Sequence, residues 1–391
     1  MSMNRHPLRT WMLAGALLGS LGLACTEPEE PFPSMEELEK LQSLHTPSRK
    51  PPVDPTNKYG DDPLAAALGT KLFNDPGLSS CGTVSCKSCH EGVSGTVDTP
   101  KSVGCNGAVT GRNPPSVLGT GYSTWFMWDG RADRLWNQAL LPLLSPIEMA
   151  SSPEILRARL TTTYAQEYAT VFKKPVSEES DEQLLANFGK AVAAYERTLN
   201  RNEAPFDQDV IRFLAAVNEG KAEKDPAYLG LKTFMRKGQC ILCHKGAMLS
   251  DDQFHNIGVA DASESRRGVA AAANAMLTWT FNSSGPYSDA PAGLESGRLQ
   301  RLGSDLQLKG SELEGSYKTP TLRNVELTGP YMHTGDVKTL EDVVELYNKG
   351  GDATGSYVGT LSQSIAPLDL TAEEKAALVK LLKSMTGAPK Q

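Results

Sequence analysis

The feature that most constrains this chain is a pair of C-x-x-C-H segments, at residues 86–90 and 240–244. This spacing is the attachment signature of c-type haem, in which two thiols bind the vinyl groups and the adjoining histidine binds the iron. Redox or zinc sites are the alternative, but a zinc site needs further Cys or His ligands, and the chain has only seven cysteines and six histidines. We therefore predict two covalent haems, held by Cys86, Cys89, Cys240 and Cys243, with His90 and His244 as iron ligands.

The two motifs lie in a diverged internal repeat. Asp62-Pro63 and Asp225-Pro226 are each typical of an N-cap followed by proline at the first helical position. Each pair is followed by the pattern Gly-x-Lys-x-Phe, which begins at Gly69 and at Gly230, and then by a haem motif. The repeat predicts two similar domains, each built around one haem.

Helical periodicity closes both halves of the chain. Helices are predicted at 181–199 and at 371–385, whereas strands of any length are hard to find. The first of these helices has an apolar face formed by Leu184, Leu185, Phe188 and Val192. The fold class is therefore mainly α, with two tandem cytochrome c-like helical domains at residues 61–205 and 206–391.

Residues 1–25 are typical of an export signal. Arg5 and Arg9 precede an apolar stretch of 14 residues, which is too short to span a membrane as a stable anchor. The stretch ends at Cys25 in a sequence that resembles a bacterial lipobox. We predict a periplasmic protein that is tethered to the membrane as a lipoprotein through Cys25. The alternative is ordinary cleavage of the signal peptide nearby, in which case Cys25 has no role in anchoring.

Residues 26–60 contain seven prolines and several acidic residues, which is typical of an extended linker. A short helix is expected within this linker at 35–45, because Leu38, Leu41 and Leu44 fall on one face. The linker would connect the helical domains to the lipid anchor.

Charge and hydropathy exclude two classes of protein. The chain has 39 basic and 46 acidic residues and a net charge of -7, whereas a nucleic-acid binder normally shows a basic face. We therefore expect no nucleic-acid partner. No apolar run reaches about 18 residues, so a multi-span membrane protein is also excluded.

Two cysteines remain once haem attachment and lipidation have been counted. They are Cys81 and Cys105, and both lie near the first haem motif. Two such cysteines in an exported protein favour a disulfide, and two free buried thiols are the alternative. We predict a Cys81–Cys105 bridge.

Several sequence blocks follow one another between and after the two haem motifs. They are GRNPPS at 111–116, WDGRA at 128–132, FHNIGV at 254–259, KTPTLRN at 318–324, PYMHTG at 330–335 and YNKGG at 347–351. With these blocks the chain, over residues 60–388, resembles the bacterial di-haem cytochrome c peroxidase family, which includes the MauG enzymes. The resemblance implies hydrogen peroxide as substrate and a small redox protein, a cytochrome c or a cupredoxin, as electron donor. A homodimer is compatible with it.

The resemblance also implies roles for individual residues. Gln138 and Glu148 match two polar residues on the distal side of the peroxide-binding, N-terminal haem. Trp128 matches the tryptophan between this haem and the C-terminal, electron-transfer haem. An inter-domain calcium ion is implied at Asn113, Thr328 and Pro330, the last two at least partly through backbone carbonyls.

One departure from the family pattern concerns the first haem. Peroxidases that need reductive activation have a histidine in the loop that closes the distal face of this haem, and here the corresponding residue is Cys105. Between residues 46 and 239 the only histidine is His90. The resemblance and the histidine count together predict an open distal side.

A second departure concerns the second haem. The ordinary peroxidase has a methionine ligand where this chain has Tyr347, as MauG does. A phenolate is a hard anionic ligand that stabilises oxidised iron, whereas a thioether favours the reduced state. Tyr347 is therefore the predicted ligand. If Tyr347 is only structural, Met332 or Met276 is the alternative.

The predicted activity is that of a di-haem peroxidase. Glu148 would move a proton between the two peroxide oxygens, and Gln138 would orient the peroxide. A MauG-like oxidase that draws electrons from a protein substrate over a distance is the second reading, and a non-catalytic di-haem electron carrier is the third. His255 and His333 have no predicted role, and segment 260–316 is either a surface excursion or part of a docking face.

Overall fold

The computed structural model describes residues 31–45, 50–90, 101–199, 203–261, 267–352 and 354–387. The predicted signal peptide with Cys25, and parts of the predicted linker, lie outside these described residues. Within them, no helix combines the length and the apolar character needed to cross a membrane.

The described chain is mainly helical, as predicted. Its α-helices are α1 (Met35–Leu44), α2 (Pro63–Phe73), α3 (Cys86–Cys89), α4 (Leu135–Gln138), α5 (Leu140–Leu144), α6 (Pro153–Thr163), α7 (Ala165–Phe172), α8 (Asp181–Glu196), α9 (Pro205–Asn218), α10 (Tyr228–Met235), α11 (Val269–Thr278), α12 (Leu294–Lys309), α13 (Leu340–Asn348) and α14 (Ala372–Ser384). Two short strands, β1 (Phe254–His255) and β2 (Tyr317–Lys318), pair antiparallel. The helices predicted to close the two halves are present as α8 and α14.

Helices α2 and α8 pack together at the centre of the first domain. Gly69 lies where they cross, and a Cβ at this position would be 1.9 Å from the Ala191 carbonyl oxygen. Only glycine permits this approach. Helix α2 begins as predicted, because the Asp62 carboxylate accepts a hydrogen bond from the Leu64 amide at 2.8 Å.

The second domain repeats this arrangement with α10 and α14. Gly230 again lies at the crossing, where a Cβ would be 3.0 Å from the Ala377 carbonyl oxygen. The predicted N-cap of this helix is wrong by two residues, since α10 begins at Tyr228. Asp225 instead accepts a hydrogen bond from Ala227 N at 2.8 Å and pairs with Arg212 at 2.9 Å, which holds it in a turn ahead of the helix.

The described parts of the predicted linker are docked on the two domains and are not extended. Helix α1 is present as expected, and it packs on the second domain with Leu41 and Leu44 fully buried. Residues 50–60 lie on the first domain, where the Thr56 hydroxyl accepts a hydrogen bond from the Trp136 indole at 3.0 Å.

The described part of segment 260–316 contributes two helices, α11 and α12, that pack against each other and against Trp125. Ion pairs join this segment to the first domain. Lys190 Nζ lies 2.7 Å from Asp289 Oδ2, and Arg134 pairs with Glu295. The described part of the segment is therefore packed on the folded body.

Candidate functional site

A continuous cavity is bordered by residues of both haem motifs. His90 borders it from the first domain, and Cys243 and His244 border it from the second. Apolar side chains form much of the remaining wall, among them Phe126, Leu135, Ile257, Val344 and Leu378. A flat and largely apolar macrocycle fits a cavity with such walls.

The motif residues fit covalent haem. None of Cys86, Cys89, Cys240 and Cys243 is paired in a disulfide. His244 Nδ1 lies 2.9 Å from the Leu249 carbonyl oxygen, and donation to that oxygen leaves Nε2 for an iron. Burial lowers the pKa of His244, so the ring is neutral, as a metal ligand must be.

Tyr347 borders the same cavity as the second haem motif. Its side chain is half-buried because one side faces the cavity, and the surrounding protein raises the pKa of its phenol. Of the two alternatives, Met332 also borders the cavity, whereas Met276 is buried in α11 against Trp125 and does not.

The predicted disulfide between Cys81 and Cys105 is present. The bridged residues are 24 apart in the sequence. A cross-link of this span stabilises a fold by about 3 kcal/mol, because it lowers the entropy of the unfolded chain. Cys105 N donates to the Glu148 carbonyl at 2.8 Å, and Ser80 N donates to the Met149 carbonyl at 3.0 Å. The bridge therefore ties both chain segments that support Glu148.

The two predicted distal residues lie on the first-domain side of the site. Gln138 borders the cavity, with its Nε2 at 4.0 Å from Met127 Sδ. Glu148 is half-buried and does not border the cavity, but its carboxylate acts electrostatically on both Cys86 and Cys89. Glu148 is thus close to the first haem motif.

Trp128 borders the cavity, and its indole Nε1 donates to the Asn113 carbonyl at 2.8 Å. Its own carbonyl accepts a hydrogen bond from Lys318 N in β2 at 2.8 Å. Trp128 is therefore held at the contact between the two domains.

Two of the three predicted calcium residues, Asn113 and Pro330, meet at the contact between the domains. Asn113 Nδ2 donates to the Pro330 carbonyl at 2.6 Å and to the Met332 carbonyl at 3.2 Å. The Thr328 hydroxyl donates to Val325 O at 3.1 Å, within its own turn. Carbonyl and amide oxygens are calcium ligands, and rotation of the Asn113 amide would exchange its nitrogen for its oxygen.

Glu196 is a buried carboxyl that sequence reasoning missed. It ends α8, is 4% exposed and borders the cavity as His90 does. Burial raises its pKa to about 8. Helical spacing was the available signal, because Glu196 follows Leu185, Phe188 and Val192 on one face.

The two unassigned histidines both bind carboxylates. His255 Nε2 lies 2.9 Å from Asp251 Oδ2, and chiefly this contact raises the pKa of His255 to about 10. His333 Nε2 lies 3.1 Å from Asp261 Oδ2, and its ring stacks on Tyr317. Sequence analysis missed Tyr317 and Asp261 altogether.

Comparison with known proteins agrees with this geometry. Residues 63–212 match the family described as di-haem cytochrome c peroxidase. The chain is 32% identical over 352 residues to the methylamine utilization protein MauG of Methylorubrum extorquens, which covers 89% of this chain and 86% of that protein. It is 31% identical to the cytochrome-c peroxidase IdrP2 of Denitromonas iodatirespirans, over 82% of this chain and 81% of that protein. A solved MauG-like protein associated with microbial copper homeostasis has a TM-score of 0.64 and 28% identity, over 88% of this chain and 95% of that chain.

Proposed function

This chain belongs to the di-haem cytochrome c peroxidase family, and on that premise we propose that it reduces hydrogen peroxide to two waters. Two electrons would come, one at a time, from a small redox protein such as a cytochrome c or a cupredoxin. The observation that carries the proposal is Cys105. By the resemblance this residue replaces the distal histidine, and in the structure it is bridged to Cys81 while its amide donates to the Glu148 carbonyl.

Cys86, Cys89 and His90 would hold the first haem, and Cys240, Cys243, His244 and Tyr347 would hold the second. When bound, the haems supply an iron that takes up peroxide and a second iron that exchanges electrons. Placement, proton transfer and exclusion of water are left to the side chains around the cavity.

Glu148 and Gln138 would both act on the peroxide, one by proton transfer and the other by a hydrogen bond. The Glu148 carboxylate would accept a proton from one peroxide oxygen and return it to the other, which would leave as water. The Gln138 amide, which borders the cavity, donates a hydrogen bond that orients the peroxide. Trp128, at the contact between the domains, would lie on the electron path.

Tyr347 favours a second candidate function, that of a MauG-like oxidase acting on a protein substrate by long-range electron transfer. An anionic oxygen ligand stabilises oxidised iron, and the 32% identical relative is itself a MauG. A plain electron carrier would need neither Gln138 nor Glu148.

Three further features are proposed on the resemblance and on the sequence. An inter-domain calcium ion would bind Asn113 together with the carbonyls of Thr328 and Pro330. The protein would work in the periplasm as a lipoprotein anchored through Cys25, and it would form a homodimer. Gel filtration of the protein after removal of the signal peptide measures whether it is a dimer. Intact mass shows whether Cys25 carries lipid.

The test of the main proposal is to mix the fully oxidised protein with peroxide in a stopped-flow spectrometer. We expect a direct reaction without pre-reduction, and the resting protein should show one high-spin and one low-spin ferric EPR signal. Two low-spin signals with no reaction would favour the carrier. A reaction that starts only after pre-reduction would make the protein a conventional, reductively activated peroxidase.

A further inference from the structure

Three side chains without a role in the proposed reaction form one compact cluster. The rings of Tyr317 and His333 stack with their centroids 3.6 Å apart and their planes inclined by 18°. Asp261 Oδ2 lies 3.2 Å from the Tyr317 hydroxyl and 3.1 Å from His333 Nε2. Asp261 is 8% exposed and His333 is 3% exposed. The tyrosine hydroxyl therefore donates to a carboxylate in a setting from which most water is excluded.

The surroundings determine how Tyr317 could react. Burial raises the pKa of its phenol, so Tyr317 is protonated at neutral pH. The Arg112 guanidinium lies 5.2 Å from the ring centroid and pairs with Asp129 at 2.6 Å. A cation at the ring disfavours a positive charge on it. Loss of an electron from Tyr317 must therefore be accompanied by loss of its proton, and Asp261 is the acceptor already in place.

The cluster is connected to the haem cavity. Tyr317 and His333 both border this cavity. The Trp128 ring meets the His333 ring edge-on at a centroid distance of 6.4 Å. Trp128, His333 and Tyr317 thus form a continuous aromatic series that ends at a carboxylate.

We propose that Tyr317 is a redox-active residue that gives one electron to the haem pair after hydrogen peroxide has oxidised it. The O–H bond of Tyr317 breaks, its proton moves to Asp261 Oδ2, and its electron reduces the haem pair by one equivalent. A neutral phenoxyl radical remains. One electron from the donor and the proton held by Asp261 then restore the phenol.

This step rests on the proposed peroxide reaction and deepens it, because one of the two oxidising equivalents is stored on the protein. His333 acts as a positioning residue, since it stacks on the phenol and also holds the carboxylate.

The test is freeze-quench EPR of the intact di-haem protein, mixed with one equivalent of peroxide in the absence of a donor. We expect an organic radical whose hyperfine pattern changes when the protein contains ring-deuterated tyrosine. Tyr317→Phe should abolish the signal. Asp261→Asn, which removes the base and preserves the shape, should slow formation of the radical on the order of 10²-fold.

Tyr287→Phe is the matched control. Tyr287 stacks on Phe281 at 5.1 Å and does not border the cavity, so the radical signal should be unchanged. If Tyr317→Phe loses haem, that variant is set aside. The radical signal of the wild type with ring-deuterated tyrosine and the rate of its formation in Asp261→Asn then test the inference.

Three results would overturn the inference. The optical spectrum could show oxidation of the haems without any tyrosyl signal, or the signal could persist in Tyr317→Phe. A radical with tryptophan hyperfine that survives the substitution would assign the site to Trp128. If peroxide leaves the optical spectrum unchanged, the proposed function fails and this inference fails with it, so the optical record separates the two failures.

Discussion

Gly104 lies directly against the backbone that carries Glu148, and we expect Gly104→Ala to impair peroxide turnover. A Cβ at this position would be 2.2 Å from the Ile147 carbonyl oxygen and 2.7 Å from the Glu148 Cα. Carbon and oxygen atoms in contact lie about 3.3 Å apart, so the two segments must separate by about 1 Å. The φ angle of Gly104 is -91°, which alanine adopts without strain. Displacement of the Glu148 segment is therefore the main effect of the substitution.

We expect peroxide turnover to fall about 10²-fold. A 1 Å misplacement of a catalytic group costs about this much, and the loss lies within the 10²–10⁴-fold that general acid–base catalysis typically contributes. Haem content and the spectrum of the second haem should be unchanged, because the clash lies in the first domain. Steady-state turnover with an artificial one-electron donor measures the effect.

Gly111→Ala is the matched control, since no atom lies within 4 Å of a Cβ at that position, and its turnover should stay within a few-fold of wild type. In a Glu148→Gln background, Gly104→Ala should cost little more, because both changes act through the same carboxylate. Normal turnover in Gly104→Ala, an equal loss in Gly111→Ala, or full additivity with Glu148→Gln would refute the reasoning.

Four further predictions concern single groups. Glu148→Gln should lower peroxide turnover about 10²–10⁴-fold with both haems attached, and activity near wild type in steady-state assays would assign proton transfer elsewhere. Tyr347→His should keep the second haem low-spin but shorten the life of the peroxide-oxidised protein about tenfold, because neutral imidazole stabilises oxidised iron less than phenolate does; an unchanged stopped-flow decay would contradict this. Glu196 has a folded-state pKa of about 8 against 4.5 for the free group, so the native state holds a proton that the unfolded chain releases. Wild type should therefore lose stability relative to Glu196→Gln between pH 4.5 and 8, by up to about 1.4 kcal/mol per pH unit. A difference in the free energy of unfolding that stays constant across this range would rule it out. Calcium chelation should slow electron exchange between the haems and lower turnover several-fold, and added calcium should restore both. Asn113→Ala should remove this response to chelation. If chelation leaves the turnover of wild type unchanged, the ion is excluded.

Local features of the chain could be predicted from sequence alone. The haem motifs require only five consecutive residues, and α8 and α14 follow from periodic apolar residues together with end-capping residues. Asp62 caps α2 as predicted, whereas Asp225 accepts the same kind of hydrogen bond, from the amide of Ala227, in a turn that precedes α10. The second result shows the limit of local rules, since the capping contact was predicted correctly but the start of the helix was wrong by two residues.

The sequence by itself determined the two C-x-x-C-H motifs, the mainly helical fold and the cysteines available for a bridge, because each depends on residue type and spacing along the chain. Only the tertiary structure decided that Gly104 meets the Glu148 segment, that Glu196 borders the cavity with His90, and that Asp261 lies within reach of Tyr317. The contacts of Gly104 and of Asp261 join residues about 40 to 60 positions apart. Such pairs meet only after loop closure and helix packing have placed their backbones, and no spacing rule in the sequence encodes those distances.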